Sequence, residues 1–181
     1  MKALRLTALL AGVLVGLYFV ASRQSAPQLA IGAPAPDFEA VTLDGARRSL
    51  GDYRGQVVLL NLWATWCGPC EWEMPSLEAL HREFASRGLR VVAVAVDDPG
   101  FEDRVRDFVV RHGLTFEVLS EGSGKIERVF QARGIPATYL IDRRGILRKR
   151  VAGAARWDSD ANRALVAQIL GEEPPASEGI R

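Results

Sequence analysis

The chain contains two cysteines, and their spacing is the first feature that could do chemistry. Cys67 and Cys70 are separated by a Gly-Pro dipeptide. A bond between them would close too small a loop to remove much entropy from the unfolded chain, so a structural staple is not expected. The pair is therefore either redox-active or half of a metal site. A structural zinc site needs four ligands, and the two histidines, His81 and His112, are isolated in the sequence. The redox interpretation is favoured.

The elements that should position the pair can be predicted from the sequence on either side of it. Residues 57–63 form a continuous apolar run, typical of a strand buried on both faces. Apolar residues at helical spacing then predict a helix from Cys67 to about Ser86. The first turn of a helix has free N–H groups and a partial positive charge, both of which favour a thiolate. We therefore expect Cys67 to be the attacking sulfur and Cys70, one turn inward, to be the resolving sulfur.

The rest of the chain alternates between predicted strands and predicted helices. The predicted strands are 38–41, 47–50, 89–96, 115–119, 137–141 and 146–151, and the further helices are 101–112, 125–131 and 159–170. Asp44-Gly45 predicts a hairpin turn between the first two strands, because these residues tolerate positive φ angles. The pattern predicts an α/β domain over residues 31–171, with a central mixed sheet flanked by helices on both faces and an N-terminal β-hairpin.

The N-terminus predicts delivery to or across a membrane. Residues 1–22 read as a signal anchor or a signal peptide, since Lys2 and Arg5 precede an uncharged apolar run at 6–20. A retained single-pass helix in a bacterial inner membrane is favoured, with the domain on the periplasmic or extracytoplasmic side. Cleavage would instead give a secreted protein. Either outcome places the cysteine pair in a compartment that tolerates disulfides.

Composition limits the remaining possibilities. The chain has 181 residues, 25% of them charged, with a formal net charge of +1. Such a balance argues against a nucleic-acid partner held by bulk charge. Residues 23–30 are polar and are expected to form a linker, and the Pro-rich residues 172–181 are expected to form a disordered tail.

Several motifs resemble the thioredoxin superfamily, and in particular its membrane-tethered TlpA- and ResA-like branch, over about residues 31–171. The motifs are Ala35-Pro36-Asp37-Phe38 with Leu43-Asp44-Gly45, Trp66-Cys67-Gly68-Pro69-Cys70, Glu73-Met74-Pro75, and Gly134-Ile135-Pro136-Ala137-Thr138. The N-terminal hairpin motif is shared with AhpC/TSA-type redoxins. The resemblance implies a thioredoxin-like fold and thiol-disulfide exchange, with no cofactor beyond the redox-active pair and no metal.

One departure from soluble thioredoxins concerns the proton that Cys70 must lose. Those proteins place a buried Asp six residues before the first cysteine, where this chain has Asn61, which does not titrate. The membrane-tethered branch has a Glu three residues after the second cysteine, and Glu73 matches it. Because three residues make about one helical turn, Glu73 would lie alongside Cys70 and accept its proton. The alternative is that Glu73 is a solvated helix charge.

The resemblance also implies a substrate-binding surface beside the pair. It implies that the Ile135–Pro136 peptide is cis and that the backbone before Pro136 pairs with an extended substrate segment. Trp66 would shield one side of the cysteine pair. From the sequence alone, Pro136 could equally begin an edge strand.

The expected function is reduction of disulfides in exported proteins, with apocytochrome c or an oxidase-assembly protein as the implied substrate. The implied electron donor is a membrane protein of the CcdA/DsbD type. Two alternatives remain. A thiol peroxidase would share the hairpin motif, but Trp63 and Leu60 occupy the positions of its signature residues. A Cu(I)-binding assembly factor would hold the metal with both thiols and a histidine such as His81.

Overall fold

A seven-stranded mixed sheet forms the centre of residues 29–171, the part of the chain that the computed structural model describes. The strands are β1 (Glu39–Thr42), β2 (Arg47–Ser49), β3 (Val57–Trp63), β4 (Leu89–Ala95), β5 (Glu117–Ser120), β6 (Ala137–Ile141) and β7 (Leu147–Ala152). Across the sheet the order is β2-β1-β5-β4-β3-β6-β7. The helices are α1 (Gly68–Phe84), α2 (Glu102–His112), α3 (Lys125–Val129) and α4 (Asp160–Gly171), with 3-10 turns at Leu50–Tyr53 and Ala85–Arg87.

Strand β3 is buried along its whole length and separates two apolar cores. Side chains of a strand alternate between its faces, so Leu59 and Trp63 pack with α1, α2 and α4, whereas Leu60 and Leu62 pack on the side of α3. Strand β4 runs parallel to β3 on one side and β6 runs antiparallel to it on the other. The prediction of a mixed sheet covered on both faces is confirmed.

The predicted N-terminal hairpin is also confirmed, and it extends the sheet. Strand β1 pairs antiparallel with β2, and Gly45 in the turn between them has a φ of 90°. Strand β1 also pairs antiparallel with β5, with Val41 opposite Ser120. The hairpin therefore lies at the edge of the sheet opposite β7, on the far side from the β3–β6 pair.

Several element boundaries differ from the predictions by one or two residues, for local reasons. Cys67 is the N-cap of α1, so the helix begins at Gly68. The α-helix ends at Phe84 and tightens into the 3-10 turn, which Gly88 closes with a φ of 102°. Helix α3 ends at Val129, short of the predicted 131, and Gln131 has a left-handed φ of 50°. Strand β5 is shifted toward the C-terminus, to Glu117–Ser120.

The predicted membrane segment at 1–22 and the predicted tail at 172–181 lie outside the described residues. Within residues 29–171, no helix has the length and hydropathy needed to cross a bilayer. Of the predicted linker, Leu29 is described: its N–H donates to Gln131 Oε1 over 3.3 Å, and its side chain packs against the core on the α3 side.

Candidate active site

Cys67 and Cys70 form a disulfide at the N-terminus of α1, directly beyond the end of β3. Cys67 retains 6% of its surface, whereas Cys70 has none. The backbone N–H of Cys70 donates to Cys67 Sγ over 3.3 Å, and the Cys67 carbonyl accepts from the N–H groups of Cys70 and Glu71. Of the two sulfurs, Cys67 Sγ is therefore the one that a partner can reach, and it caps the first turn of the helix.

This position suits a nucleophilic sulfur. When the disulfide is reduced, the Cys67 thiolate sits where first-turn N–H groups and the positive end of the helix dipole stabilise negative charge. Pro69 lies in the same turn, where its missing N–H costs no intrahelical hydrogen bond. The structure thus contains both features that the sequence predicted for the attacking cysteine.

The loop between β3 and the disulfide is held by Asp97, a residue that sequence reasoning did not single out. The buried Asp97 carboxylate accepts the N–H of Thr65 over 3.0 Å and the Thr65 hydroxyl over 2.5 Å. Asp97 comes just after β4, the parallel neighbour of β3, and the Val96 N–H donates to the Trp63 carbonyl over 2.8 Å. An Asp at the carboxyl end of the adjacent parallel strand was the available signal, since parallel strands end at the same sheet edge.

Glu73 is fully buried, one helical turn after Cys70. Its Oε1 accepts from Asn61 Nδ2 over 2.7 Å, and its Oε2 accepts from the Ala155 N–H over 3.1 Å. Asn61 Nδ2 also donates to Thr138 Oγ1 over 2.9 Å, which ties the group to β6. The alternative that Glu73 is a solvated helix charge is therefore wrong.

Burial raises the pKa of the Glu73 carboxyl, and the hydrogen bonds from Ala155 and Asn61 offset this only in part. The buried Trp157 indole also lies close enough to lower the pKa of Glu73 slightly. Trp157 Nε1 itself forms no hydrogen bond within residues 29–171. In this oxidised state Glu73 hydrogen-bonds to its two donors rather than to a sulfur. A carboxylate with a raised pKa is a better proton acceptor than an exposed one.

Pro136 lies at the same edge of the sheet as the disulfide. The Ile135–Pro136 peptide is cis, as the resemblance implied. Ala137, the next residue, pairs with Leu62 near the end of β3, from which the cysteine loop departs. The Pro136 carbonyl accepts the Gly153 N–H, whereas the N–H and carbonyl of Ile135 make no hydrogen bond within the described chain. The backbone before Pro136 is therefore open to an extended partner.

Two tryptophans beside the disulfide are exposed to solvent. Trp66 is 71% exposed and Trp72 is 57% exposed. Most of the Trp66 ring is therefore free for a binding partner rather than packed on the domain. Large exposed aromatic side chains next to a reactive group are typical of binding surfaces.

The positions of several residues argue against both alternative functions, the thiol peroxidase and the Cu(I)-binding factor. Trp63 and Leu60, at the peroxidase signature positions, are fully buried apolar residues that offer no hydroxyl group. His81 is eleven residues beyond Cys70 on the same helix, a separation of about 16 Å along its axis. The expectation that His81 could approach the pair is therefore wrong. His112 is the histidine beside the start of α1, with Nε2 3.3 Å from Glu71 Oε1.

A disulfide at the head of the helix that follows the central strand, beside a cis-proline at the same sheet edge, defines a thioredoxin-fold thiol-disulfide oxidoreductase. The chain belongs to the AhpC/TSA family, whose model matches residues 31–150. Within that family it is a TlpA/ResA-like member of the thioredoxin superfamily.

Named relatives support this assignment. The chain is 38% identical to the thiol-disulfide oxidoreductase ResA of Geobacillus thermodenitrificans over 125 residues, which cover 69% of this chain and 71% of that protein. It is 43% identical to the thioredoxin-like protein YneN of Bacillus subtilis over 117 residues, covering 64% and 68% of the two chains. A crystal structure from Chlorobium tepidum, described as a DsbE-type thiol:disulfide interchange protein, matches with a TM-score of 0.73 and 30% identity, covering 80% of this chain and 100% of that one.

Proposed function

We propose that this oxidoreductase works as a reductant outside the cytoplasm and passes two electrons from its Cys67–Cys70 dithiol to disulfides of exported proteins. Exchange through a disulfide is the activity of the family. The direction, the compartment and the roles of individual residues are the proposal. The observation that carries it is the buried Glu73 carboxyl, held by Asn61 and Ala155 one turn beyond Cys70.

The reaction has two exchange steps. The Cys67 thiolate attacks one sulfur of the substrate disulfide, forms a mixed disulfide and releases the other substrate sulfur as a thiolate, which takes up a proton from water. Cys70 then gives its proton to the Glu73 carboxylate, and its sulfur attacks Cys67 Sγ. The mixed disulfide breaks, the second substrate sulfur leaves as a thiolate and takes up a proton, and Glu73 gives up the proton it holds. Cys67–Cys70 is left oxidised. The substrate gains two electrons and two protons overall.

The second step explains why a buried base is needed. Cys70 has no exposed surface in the oxidised state, so water has little access to take its proton. Glu73 is buried on the same helix and has a raised pKa, so it can hold that proton until the product leaves. Asn61 does not titrate and serves to orient the carboxylate through its Nδ2 group.

Two features support substrate binding next to the sulfur pair. The unpaired backbone of Ile135 can add a strand-like hydrogen bond to an extended substrate segment, as the resemblance to TlpA- and ResA-like proteins implied. The exposed ring of Trp66 gives that segment an apolar surface beside Cys67. Neither the Ile135 backbone nor the Trp66 ring selects a particular side chain, so this surface is suited to a range of extended segments.

The site of action is proposed from the predicted membrane segment at 1–22. A reductant in an oxidising compartment must be recharged, which calls for a membrane electron donor of the CcdA/DsbD type. Apocytochrome c and oxidase-assembly proteins are the proposed substrate classes, because their cysteine pairs must be reduced after export.

The experiment is a trapping assay in cells that express the full-length chain with Cys70→Ala. Without its resolving sulfur, the protein should stay linked to its substrates through Cys67, and mass spectrometry should identify exported proteins that contain cysteine pairs. The matched control is Cys67→Ala, which keeps the buried Cys70 and should capture nothing. Equal capture by the two variants would contradict the assigned order of attack, and capture of cytoplasmic proteins alone would contradict the proposed location.

A further inference from the structure

An open groove of about 1010 Å³ begins at the Ile135–Pro136 peptide and is lined by three arginines. Arg128 comes from α3, Arg133 from the loop before Pro136, and Arg150 from β7. These residues lie in three separate segments of the sequence, so no local motif predicts the groove. Its position matters because it is continuous with the backbone at which the substrate is proposed to bind.

The positive charge in this groove exceeds the negative charge that the protein places there. Arg128 donates to the Ser123 carbonyl over 3.3 Å, and Arg150 donates to the Gln131 carbonyl. Arg133 is exposed, and its side chain makes no hydrogen bond or ion pair within residues 29–171. Backbone carbonyls carry no net charge, and none of the three arginines forms an ion pair with a described residue. Of the side chains that line the groove in the described structure, only Glu127 is acidic.

Arg150 is also held in position for a partner. The Arg150 guanidinium lies 5.7 Å from the centre of the Tyr139 ring, and its bond to Gln131 fixes it further. Arginine presents a planar set of donors that matches a carboxylate, and a pre-positioned guanidinium loses less side-chain entropy on binding. A groove with this lining fits an acidic partner rather than a neutral or basic one.

We propose that this arginine groove binds acidic side chains in the substrate segment next to the disulfide under attack. The protein would then reduce disulfides flanked by Asp or Glu faster than the same disulfides with neutral flanks. The inference rests on the proposed function, because it takes the segment at Ile135 to be a substrate. The backbone contacts at Ile135 do not distinguish side chains, and the arginine groove would add a preference for acidic ones.

The test compares two synthetic peptides with the same cystine loop, one flanked by Asp and Glu and the other by Asn and Gln. The reduced full-length chain in neutral detergent is mixed with each peptide in a single turnover, and the second-order rate constant of peptide reduction is measured at low and high salt. Exposed ion pairs are each worth about a twofold to fivefold change, so three arginines should give the acidic peptide an advantage of about tenfold. The advantage of the acidic peptide should be smaller at 1 M salt, because the Debye screening length is then about 3 Å.

Arg133→Gln is the first variant, because its side chain supports nothing else in the described structure. It should reduce the advantage of the acidic peptide by about twofold to fivefold and leave the neutral peptide unchanged. The triple Gln variant at 128, 133 and 150 should abolish the advantage. Arg87→Gln is the matched control, since Arg87 follows α1 at the end opposite the disulfide, and it should change neither rate.

Two outcomes separate failure of this inference from failure of the proposed function. If the wild-type protein reduces both peptides equally well, or if the triple variant keeps the preference, the arginine groove is not a substrate site. If the wild-type protein reduces neither peptide, the reductase proposal itself fails, and the groove proposal fails with it.

Discussion

The substitution Glu73→Gln removes the proposed proton acceptor while keeping the size and shape of the side chain. The amide can still accept the hydrogen bond from Asn61 or the one from Ala155. It cannot take a proton from Cys70. The first exchange step uses Cys67 and should be unaffected, whereas the second step should slow.

The size of the effect follows from the acidity of a thiol. With an ordinary pKa near 8.5, only about 3% of a cysteine is thiolate at pH 7. A base that removes the proton fully during attack can therefore accelerate the step by about 30-fold. Cys70 is buried, and burial disfavours a thiolate, so the gain from a nearby base should be at least this large. We expect the second step to slow by about 30-fold or more at pH 7.

The assay is single-turnover reduction of a disulfide peptide, quenched with acid at successive times. Alkylation and mass spectrometry then give the amounts of free, mixed-disulfide and oxidised protein. In Glu73→Gln the mixed disulfide should accumulate, and its decay should quicken tenfold per pH unit up to the pKa of Cys70. In the wild type the decay should depend less on pH, because Glu73 supplies the base.

Glu78→Gln is the matched control for this experiment. Glu78 is also a buried carboxylate on α1, but it accepts hydrogen bonds from Thr115 and Arg82, away from the disulfide. Its substitution should leave both exchange steps unchanged. If the lifetime of the mixed disulfide and its pH dependence are the same in Glu73→Gln and the wild type, Glu73 is not the proton acceptor.

Four further predictions concern stability and reaction class. Because burial raises the pKa of Glu73, its contribution to folding is most favourable below the unfolded value and is lost as the pH rises through the folded value. In urea unfolding from pH 4 to 8, the unfolding free energy of Glu73→Gln should therefore rise relative to that of the wild type. The rise should be about 1.4 kcal/mol for each unit by which folding raises the pKa of Glu73. A difference that is constant with pH would contradict this. Asp97→Asn offers one acceptor oxygen to two Thr65 donors, and should lower the unfolding free energy by about 1.5–3 kcal/mol at pH 7. Gly122→Ala would place a Cβ 2.4 Å from the Asp97 carbonyl oxygen and should cost about 1–3 kcal/mol by the same measurement, whereas Gly134→Ala, with open space around it, should not be destabilised by a clash. Hydrogen peroxide should be consumed no faster than by a small free thiol, and rapid turnover would instead favour a peroxidase.

The parts of the site that the sequence predicted are those coded locally. The apolar run of β3, the helical spacing after Cys67 and the Gly-Pro dipeptide lie within about thirty residues of one another, and each has a direct physical meaning. The placement of Cys67 at the start of a helix and the burial of a central strand could therefore be inferred without a structure. The interpretation of Ile135–Pro136 as a cis bond came instead from the family resemblance.

The parts that the sequence did not predict depend on contacts between distant segments. The Ala155 N–H reaches Glu73 across 82 positions in the chain, and Asp97 reaches Thr65 across 32. Nothing in the local pattern around Ala155 indicates that its backbone would hold a buried carboxylate. The misplacement of His81 has a similar origin, since its distance from the disulfide follows from the length of α1 between the two residues.

The redox potential of the Cys67–Cys70 pair would show whether the pair works as a reductant. The oxidised and reduced forms of the full-length chain can be equilibrated with a series of thiol–disulfide buffers and quantified by alkylation. The Gly-Pro dipeptide between the cysteines resembles that of reducing thioredoxins, so we predict a potential of about −270 mV. A potential above about −180 mV, in the range of disulfide isomerases and oxidases, would contradict it.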